Sequence, residues 1–489
     1  MTLPKGWAQA TVGQMADFIT SGSRGWAKYY SDTGDAFIRI QNIKRGGLEL
    51  DLKDIQHVKP PYGSEGERTK LSSQDILVTI TADLGRIALF SEDVKAYVNQ
   101  HIALVRLNDP SLAPYIARYL SCENGQSQLG LRDRGITRSG LGLDDIGSVE
   151  VPLPPAEEQR RIVAKLDALV AHIARAKTEL DRVPALADRQ RLAILRAGMS
   201  GSLTSELSLS GETVNELLVR VPAPPQSRGG REATEKVISG VAGLAVNDPG
   251  TSLPPGWRWL PLLRLARQET GHTPSRSRSD YWDGGVPWIG IRDAGAHHGH
   301  RISETQQTIS EAGLANSSAR LLPAGTVCLS RTASVGYVTI MDRSMTTSQD
   351  FATWTCSEAL LPEYLMYALM AEGEEIKNFG MGSTHTTIYF PEVRAFHIAL
   401  PPIVEQKEIV RKIELALSAT DRLEAEATHV RALLDRLESA IFAKAFRGEL
   451  VPQDPNDEPA SPLLERIRAQ RAAAPKPKRG RRASSTDAS

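Results

Sequence analysis

The chain has 489 residues, with 58 Lys and Arg against 58 Asp and Glu, 41% hydrophobic residues, 24% charged residues and three cysteines. That length exceeds a single hydrophobic core and implies several domains, while the apolar fraction excludes wholesale disorder and the zero net charge argues against a generic polyanion binder. No apolar run approaches the roughly 18 to 20 residues that span a bilayer, and MTLPKGWAQATVGQMADF lacks a basic stretch followed by an apolar core, so a soluble cytoplasmic protein is expected.

Residues 1–152 mix short β-branched runs (IRIQNI, DILVTI, HIALVRL) with Gly, Ser, Asn and Asp clusters and predict one helix around Ala113 to Cys122. This is an α+β unit with a strand-rich core. At Pro154 and Pro155 the composition turns to Ala, Leu, Glu, Arg and Lys, which starts a long helix over 153–204. A linker is expected over 205–250, with Pro222, Pro224, Pro225, Gly229 and Gly230 as its flexible part. A second α+β unit over 251–399, a second long helix over 400–450 and a largely disordered basic tail over 451–489, carrying KPKRGRR, complete the chain.

The second half repeats the first, about 250 residues on. LPKGW at Leu3 returns as LPPGW at Leu253, and GDAFIRIQN at Gly34 returns as GVPWIGIRD at Gly285. DILVTITADLGRIAL at Asp75 aligns with TVCLSRTASVGYVTI at Thr326, and GITR at Gly135 with GSTH at Gly382. LPPAEEQRRIVAKL at Leu153 matches LPPIVEQKEIVRKI at Leu400, and the register continues as NELLVRV at Asn215 against SPLLERI at Ser461.

Each long helix carries apolar residues in steps of four and three, which is the seam of a coiled coil. The first copy has Ile162, Leu166, Leu169 and Ile173, and the second has Ile409, Ile413, Leu423 and Leu434, with Glu158, Gln159, Glu405 and Gln406 at the helix starts. About 40 residues at a rise of 1.5 Å give roughly 60 Å per helix, and a narrow stripe of that length needs a partner helix. Equivalent halves satisfy an approximate two-fold only if these helices run antiparallel, with one α+β unit at each end.

Catalytic signatures are missing from the sequence. Lys59 stands where the proton-accepting Asp or Asn of a methyltransferase PPY loop would precede Pro60, Pro61 and Tyr62, and no P-loop, H-E-x-x-H or G-x-S-x-G is found. His297, His298 and His300 cluster without a carboxylate partner, and Cys122, Cys328 and Cys356 are isolated, so neither a metal site nor a disulfide is expected.

The α+β units are instead rich in groups that contact nucleic acid. In the first copy these are Arg24, Lys28, Tyr29 and Tyr30, then Gln41, Asn42, Lys44 and Arg45, then Arg138. In the second they are Thr273, Ser275, Arg276, Arg278 and Tyr281, then Arg292, Asp293 and His297, then Arg331 and His385. Arg pairs bidentately with guanine and Asn or Gln with adenine, and the tips differ between copies while their spacing is kept, as in two modules of one fold reading different sequences.

These motifs, over roughly residues 3 to 450, resemble the specificity subunit of type I restriction-modification systems. The resemblance implies two target-recognition domains in tandem, each reading half of an asymmetric bipartite site in double-stranded DNA. It implies an antiparallel spacer coil that sets the gap and docks two DNA-methyltransferase subunits. Partners would bring S-adenosylmethionine, ATP and Mg, with an ATP-dependent restriction and translocase subunit among them, and this chain would hold no cofactor and catalyse nothing. The alternative is a duplicated protein-interaction scaffold with a coiled-coil spacer, which predicts no salt-dependent DNA binding. The first α+β unit carries 17 basic and 18 acidic residues (−1) and the second 12 and 14 (−2), so neither is a basic clamp.

Overall fold

The computed structural model describes residues 3–22, 24–60, 63–130, 140–206, 211–226, 232–382 and 386–473. Tyr62, Arg138, His385 and the KPKRGRR run lie outside the described residues. The chain forms two compact units, residues 1–180 with 429–489 and residues 181–428. Among the described residues no helix is long and apolar enough to cross a membrane.

The repeat in sequence is a repeat in topology. In the first unit a four-stranded sheet runs in the order Ala16–Ser21, Ile102–Leu107, Ile76–Thr79, Ile87–Leu89. The second unit repeats that order as Ala266–Thr270, Phe351–Cys356, Val327–Ser330, Val338–Met341, and adds Arg301–Ile302 at the edge. Ile76–Thr79 and Val327–Ser330 are buried at every residue, as befits continuous apolar runs in the middle of a sheet. A second sheet in each unit pairs Asp35–Ile38 with Ala96–Val98, and Trp282–Ile289 with Thr346–Thr347, parallel in both cases. The helix expected around Ala113 to Cys122 spans Ala113–Ser121, and its counterpart is Pro362–Ala371. Each is pinned by a buried tyrosine: Tyr115 donates to Pro152 O at 2.7 Å and Tyr364 to Ala399 O at 2.8 Å.

A small sheet closes each unit where it meets its helix. Ala8–Thr11 pairs with Glu150–Leu153, and Arg258–Pro261 pairs with Phe396–Leu400. The segment expected to be a linker adds Leu244–Val246 and Ile238–Ser239 to the second of these sheets, and its Val214–Arg220 helix buries Val214 and Leu217 in the same core. Residues 205–250 are therefore largely part of the second unit, because LAV and VNELLVR find an apolar surface to cover. The tail corrects the same way. Ala460–Ala473 is helical and buries Ala460, Leu463, Leu464 and Ile467 against Trp7, Val12 and Met15. The aligned pair NELLVRV and SPLLERI thus marks one helix used twice.

The first long helix is two: Ala156–Leu180 and Val183–Met199. Pro184 causes the break, since it lacks an N–H and its ring clashes with the carbonyl one turn back. The second long helix is continuous over Ile403–Phe446. Pairing is antiparallel within each unit. In the first, Ile162 and Leu166 pack with Ala445 and Phe446, and Lys177 bridges Asp435 at 2.6 Å and Glu438 at 2.5 Å. In the second, Arg191 meets Asp421 at 2.8 Å and Glu424 at 2.5 Å, and Gly198 lies under Ile409 and Ile413.

The expected seam is only partly buried. Ile162, Leu166, Ile173, Ile409 and Ile413 are enclosed and Leu169 and Leu434 half-buried, but Leu423 stays 57% exposed. Ion pairs to Asp421 and Glu424, two residues before it and one after, hold that stretch of the helix in place of an apolar seam.

Candidate nucleic-acid interface

The helix-start motif is internal to the chain. Glu158 accepts from Trp7 Nε1 at 3.1 Å, and Glu405 accepts from Trp257 Nε1 at 3.0 Å and from Thr204. Gln159 Nε2 donates to Pro154 O at 2.8 Å, and Gln406 Nε2 to Pro401 O at 3.1 Å and Ala359 O at 3.0 Å. Glu158, Gln159 and Gln406 are buried. Of the residues expected to dock partners or build the coil, these four are instead tied within the chain: the Glu locks LPxGW onto the helix, and the Gln satisfies carbonyls left open by the double proline. Burial raises the Glu158 carboxyl above its usual range, against the Trp7 hydrogen bond.

The polar loops singled out by the sequence follow in each module. In the first module Arg24, Lys28 and Tyr30 are exposed, Lys28 lying 4.9 Å over the Tyr29 ring. Tyr30 leans on Phe37, and Trp26, in the same loop, is buried and stacked on Phe37 at 5.4 Å. The strand expected through IRIQNI ends at Ile38, and Ile40–Asn42 is a tight helical turn. Asn42 makes that turn. It is 2% exposed, its Oδ1 accepts from Arg39 N at 2.9 Å, and its Nδ2 donates to Asp51 O and Asp54 O.

Asp293 does the same in the second module, accepting from Gly290 N at 2.9 Å and Gln306 N at 2.8 Å, and opens the Ile291–Ala296 helix. Asn42 and Asp293 are thus corrected from base contacts to turn locks, since their donors and acceptors are spent on the backbone. Their neighbours Gln41 and Arg292 point outward.

The remaining cations are mostly tied. Lys44 pairs with Asp51, and Arg45 with Asp83, which Arg86 also grips. Hydrogen bonds from Arg86 and Arg45 hold the Asp83 carboxyl below its usual range. Arg276 lies 4.1 Å over Trp282 and 5.3 Å over Trp288, and both its terminal nitrogens donate to Gln307 at 3.1 Å. Arg278 pairs with Asp280 at 2.7 Å and covers Tyr281, and Ser275 contacts Ser277. Thr273 donates to Gln349, whose backbone oxygen accepts from Arg331 at 2.9 Å, and Arg331 also sits 4.3 Å over Phe390. His297 Nδ1 lies 3.0 Å from Asp293 O, and His298 Nδ1 accepts from Val338 N at 3.0 Å. Among the described residues no group of three or more His, Cys, Asp or Glu is placed to hold a metal ion.

One shared feature is missing from the residues singled out by sequence. Ala82 and Ala333 take left-handed backbone, with φ of 62° and 61°, in the aligned loops Thr81–Gly85 and Thr332–Gly336. In both, the threonine hydroxyl is held by the residue just before a neighbouring strand of the sheet: Thr81 by His101, ahead of Ile102–Leu107, at 2.6 Å and Thr332 by Asp350, ahead of Phe351–Cys356, at 2.7 Å. The signal was the repeated T-A-x-x-G, seen as part of a strand alignment and not as a turn.

The sequence profile of the type I restriction modification DNA specificity domain matches residues 4–185 and again 261–429. The chain belongs to that family. The type I restriction enzyme EcoKI specificity subunit of Escherichia coli K12 is 23% identical over 96% of this chain and 97% of its own length. The StySPI specificity subunit of Salmonella potsdam is 24% identical over 96% of both. Among solved structures, the HsdS subunit from Thermoanaerobacter tengcongensis shares the fold with a TM-score of 0.58 at 22% identity, covering 92% of this chain and 99% of that one. A chain from a type I R-M complex whose assembly and conformational transition were studied superposes with a TM-score of 0.64 at 21% identity, over 92% and 100%. The two matched regions take in the two modules, so the chain is a type I DNA specificity subunit with one recognition fold used twice.

Proposed function

We propose that each module reads one half of an asymmetric bipartite site in double-stranded DNA, while the helices set the gap and dock two methyltransferase subunits. The chain itself carries out no chemistry. Methylation of adenine with S-adenosylmethionine, and ATP- and Mg-dependent restriction, belong to the partners. One observation supports this reading above the rest: the two modules repeat strand order, turn lock and left-handed alanine, yet display different outward side chains, Gln41 in one and Arg292 in the other. A repeated frame with altered tips suits two sequence readers better than two copies of one binding site.

The test is to co-express the chain with its modification partner and map methylated adenines across a genome by single-molecule sequencing. Two short specified blocks around a fixed gap are expected. A continuous motif, or none, overturns the proposal.

A further inference from the structure

We propose that Gln41 and Arg292 are the equivalent base-reading side chains of the two modules, Gln41 pairing with adenine and Arg292 with guanine in the major groove. The inference rests on the bipartite reading above and adds the residues and the bases.

The repeat places the two at the same position, eighth of the nine residues in Gly34–Asn42 and Gly285–Asp293. Both follow the last residue of a sheet strand by three positions, and both precede a buried turn lock: Asn42, 2% exposed, and Asp293, 5% exposed. The backbone that carries each is therefore fixed, which lowers the entropy lost when the tip engages a base. Both side chains are exposed.

Their hydrogen-bonding state suits the assignment. Gln41 Nε2 donates to Asp54 Oδ2 at 2.9 Å, which orients the amide and leaves one N–H and the oxygen for the N7 acceptor and N6 donor of adenine. Arg292 makes no hydrogen bond or ion pair with any described residue and borders a cleft of about 400 Å³ with Trp288, Gln306 and Gln307. Its guanidinium is free for the paired acceptors O6 and N7 of guanine. The neighbouring cations are engaged, Arg276 by Gln307 and two tryptophans, and Arg45 by Asp83. The frame repeats elsewhere in the two modules as well, in the aligned Thr81 and Thr332 and the left-handed Ala82 and Ala333. On a frame held constant, a change from Gln to Arg is the change that converts an adenine contact into a guanine contact.

The experiment uses the full chain with its methyltransferase partner and compares genome-wide adenine methylation for wild type, R292Q and Q41R, with melting curves as a folding control. In R292Q, one guanine in one half-site is expected to lose its preference by about 5- to 150-fold, the span of a single bidentate contact, with the other half-site and the gap unchanged. Q41R is expected to shift one adenine position in the opposite half-site towards guanine. A motif unchanged in both variants overturns the inference and leaves the bipartite reading standing. A uniform loss at all sites with unchanged melting makes these residues phosphate contacts and also overturns it. The absence of a bipartite motif in wild type removes the reading beneath it.

Discussion

The helix Ala460–Ala473 is predicted to be a structural part of the first module, and Leu464→Ala measures this. Leu464 is 6% exposed in a cluster with Leu463, Ile467, Trp7, Val12 and Met15. Removing its outer carbons forfeits about 1.5–3 kcal/mol of burial, and the cavity left behind adds to that, because Ala460 N is tied to Gly6 O at 2.9 Å and Arg471 to Gly13 O at 2.8 Å, so the helix cannot simply settle. A cost of about 3 kcal/mol follows, or roughly 6–12 °C in melting temperature for a unit of this size. Amide exchange by mass spectrometry locates the effect. Protection should fall in Ala8–Thr11 and Glu150–Leu153, which lie beside the helix, and hold in their counterparts Arg258–Pro261 and Phe396–Leu400. Unchanged protection at Ala8–Thr11, or equal loss in both sheets, refutes the reasoning.

Glu158→Gln should raise stability at neutral pH. Burial lifts the Glu158 pKa above its ordinary value of 4.5, so the protonated form is favoured in the fold and stability declines as pH rises past that point. The amide keeps an acceptor for Trp7, so the melting advantage over wild type should appear between pH 5 and pH 8, roughly, and vanish below about pH 4; a constant difference across that range contradicts the assignment. Ala333→Gly removes the cost of a left-handed alanine and should stabilise by about 0.5–1 kcal/mol in thermal melts, whereas a drop would show the strain is not there. Inserting seven residues in Ile403–Phe446 lengthens that helix by about 10 Å and should change the gap between methylated blocks or abolish methylation, with both block sequences kept whenever activity survives. Without partners, the chain should bind duplex DNA weakly and with a falling affinity as salt rises, read by fluorescence anisotropy at several salt concentrations.

The duplication, the strands DILVTI and HIALVRL and the helix at Ala113 were legible because each is a long-range or continuous apolar signal. The helix break was visible as Pro184, yet the step-of-four-and-three pattern ran across it, and periodicity alone does not register a missing N–H. Residues 205–250 and the tail were misjudged because their apolar segments are only three to seven residues long and gain their structure from a neighbour's surface. The site suffered a different loss. Residue type marked both Gln41 and Asn42 as base readers, but only three-dimensional direction separates them: one faces outward, the other has every polar atom on the backbone. The same split recurs between Arg292 and Asp293, where composition suggests two contacts and geometry leaves one.

That geometry also explains how modules of net charge −1 and −2 serve a DNA reader. Lys44, Arg45 and Arg278 each face a carboxylate, so a phosphate approaching them must displace Asp51, Asp83 or Asp280 before any counterion is released to its gain. Sequence-independent grip is weakened by that competition. On the assignment proposed above a contact to a base edge is not, because Arg292 has no acceptor to surrender among the described residues and Gln41 keeps its own oxygen and one N–H while bonded to Asp54. Pairing the surface cations internally therefore lowers binding to arbitrary DNA more than binding to the right site, and the ratio between the two is what a specificity subunit has to supply.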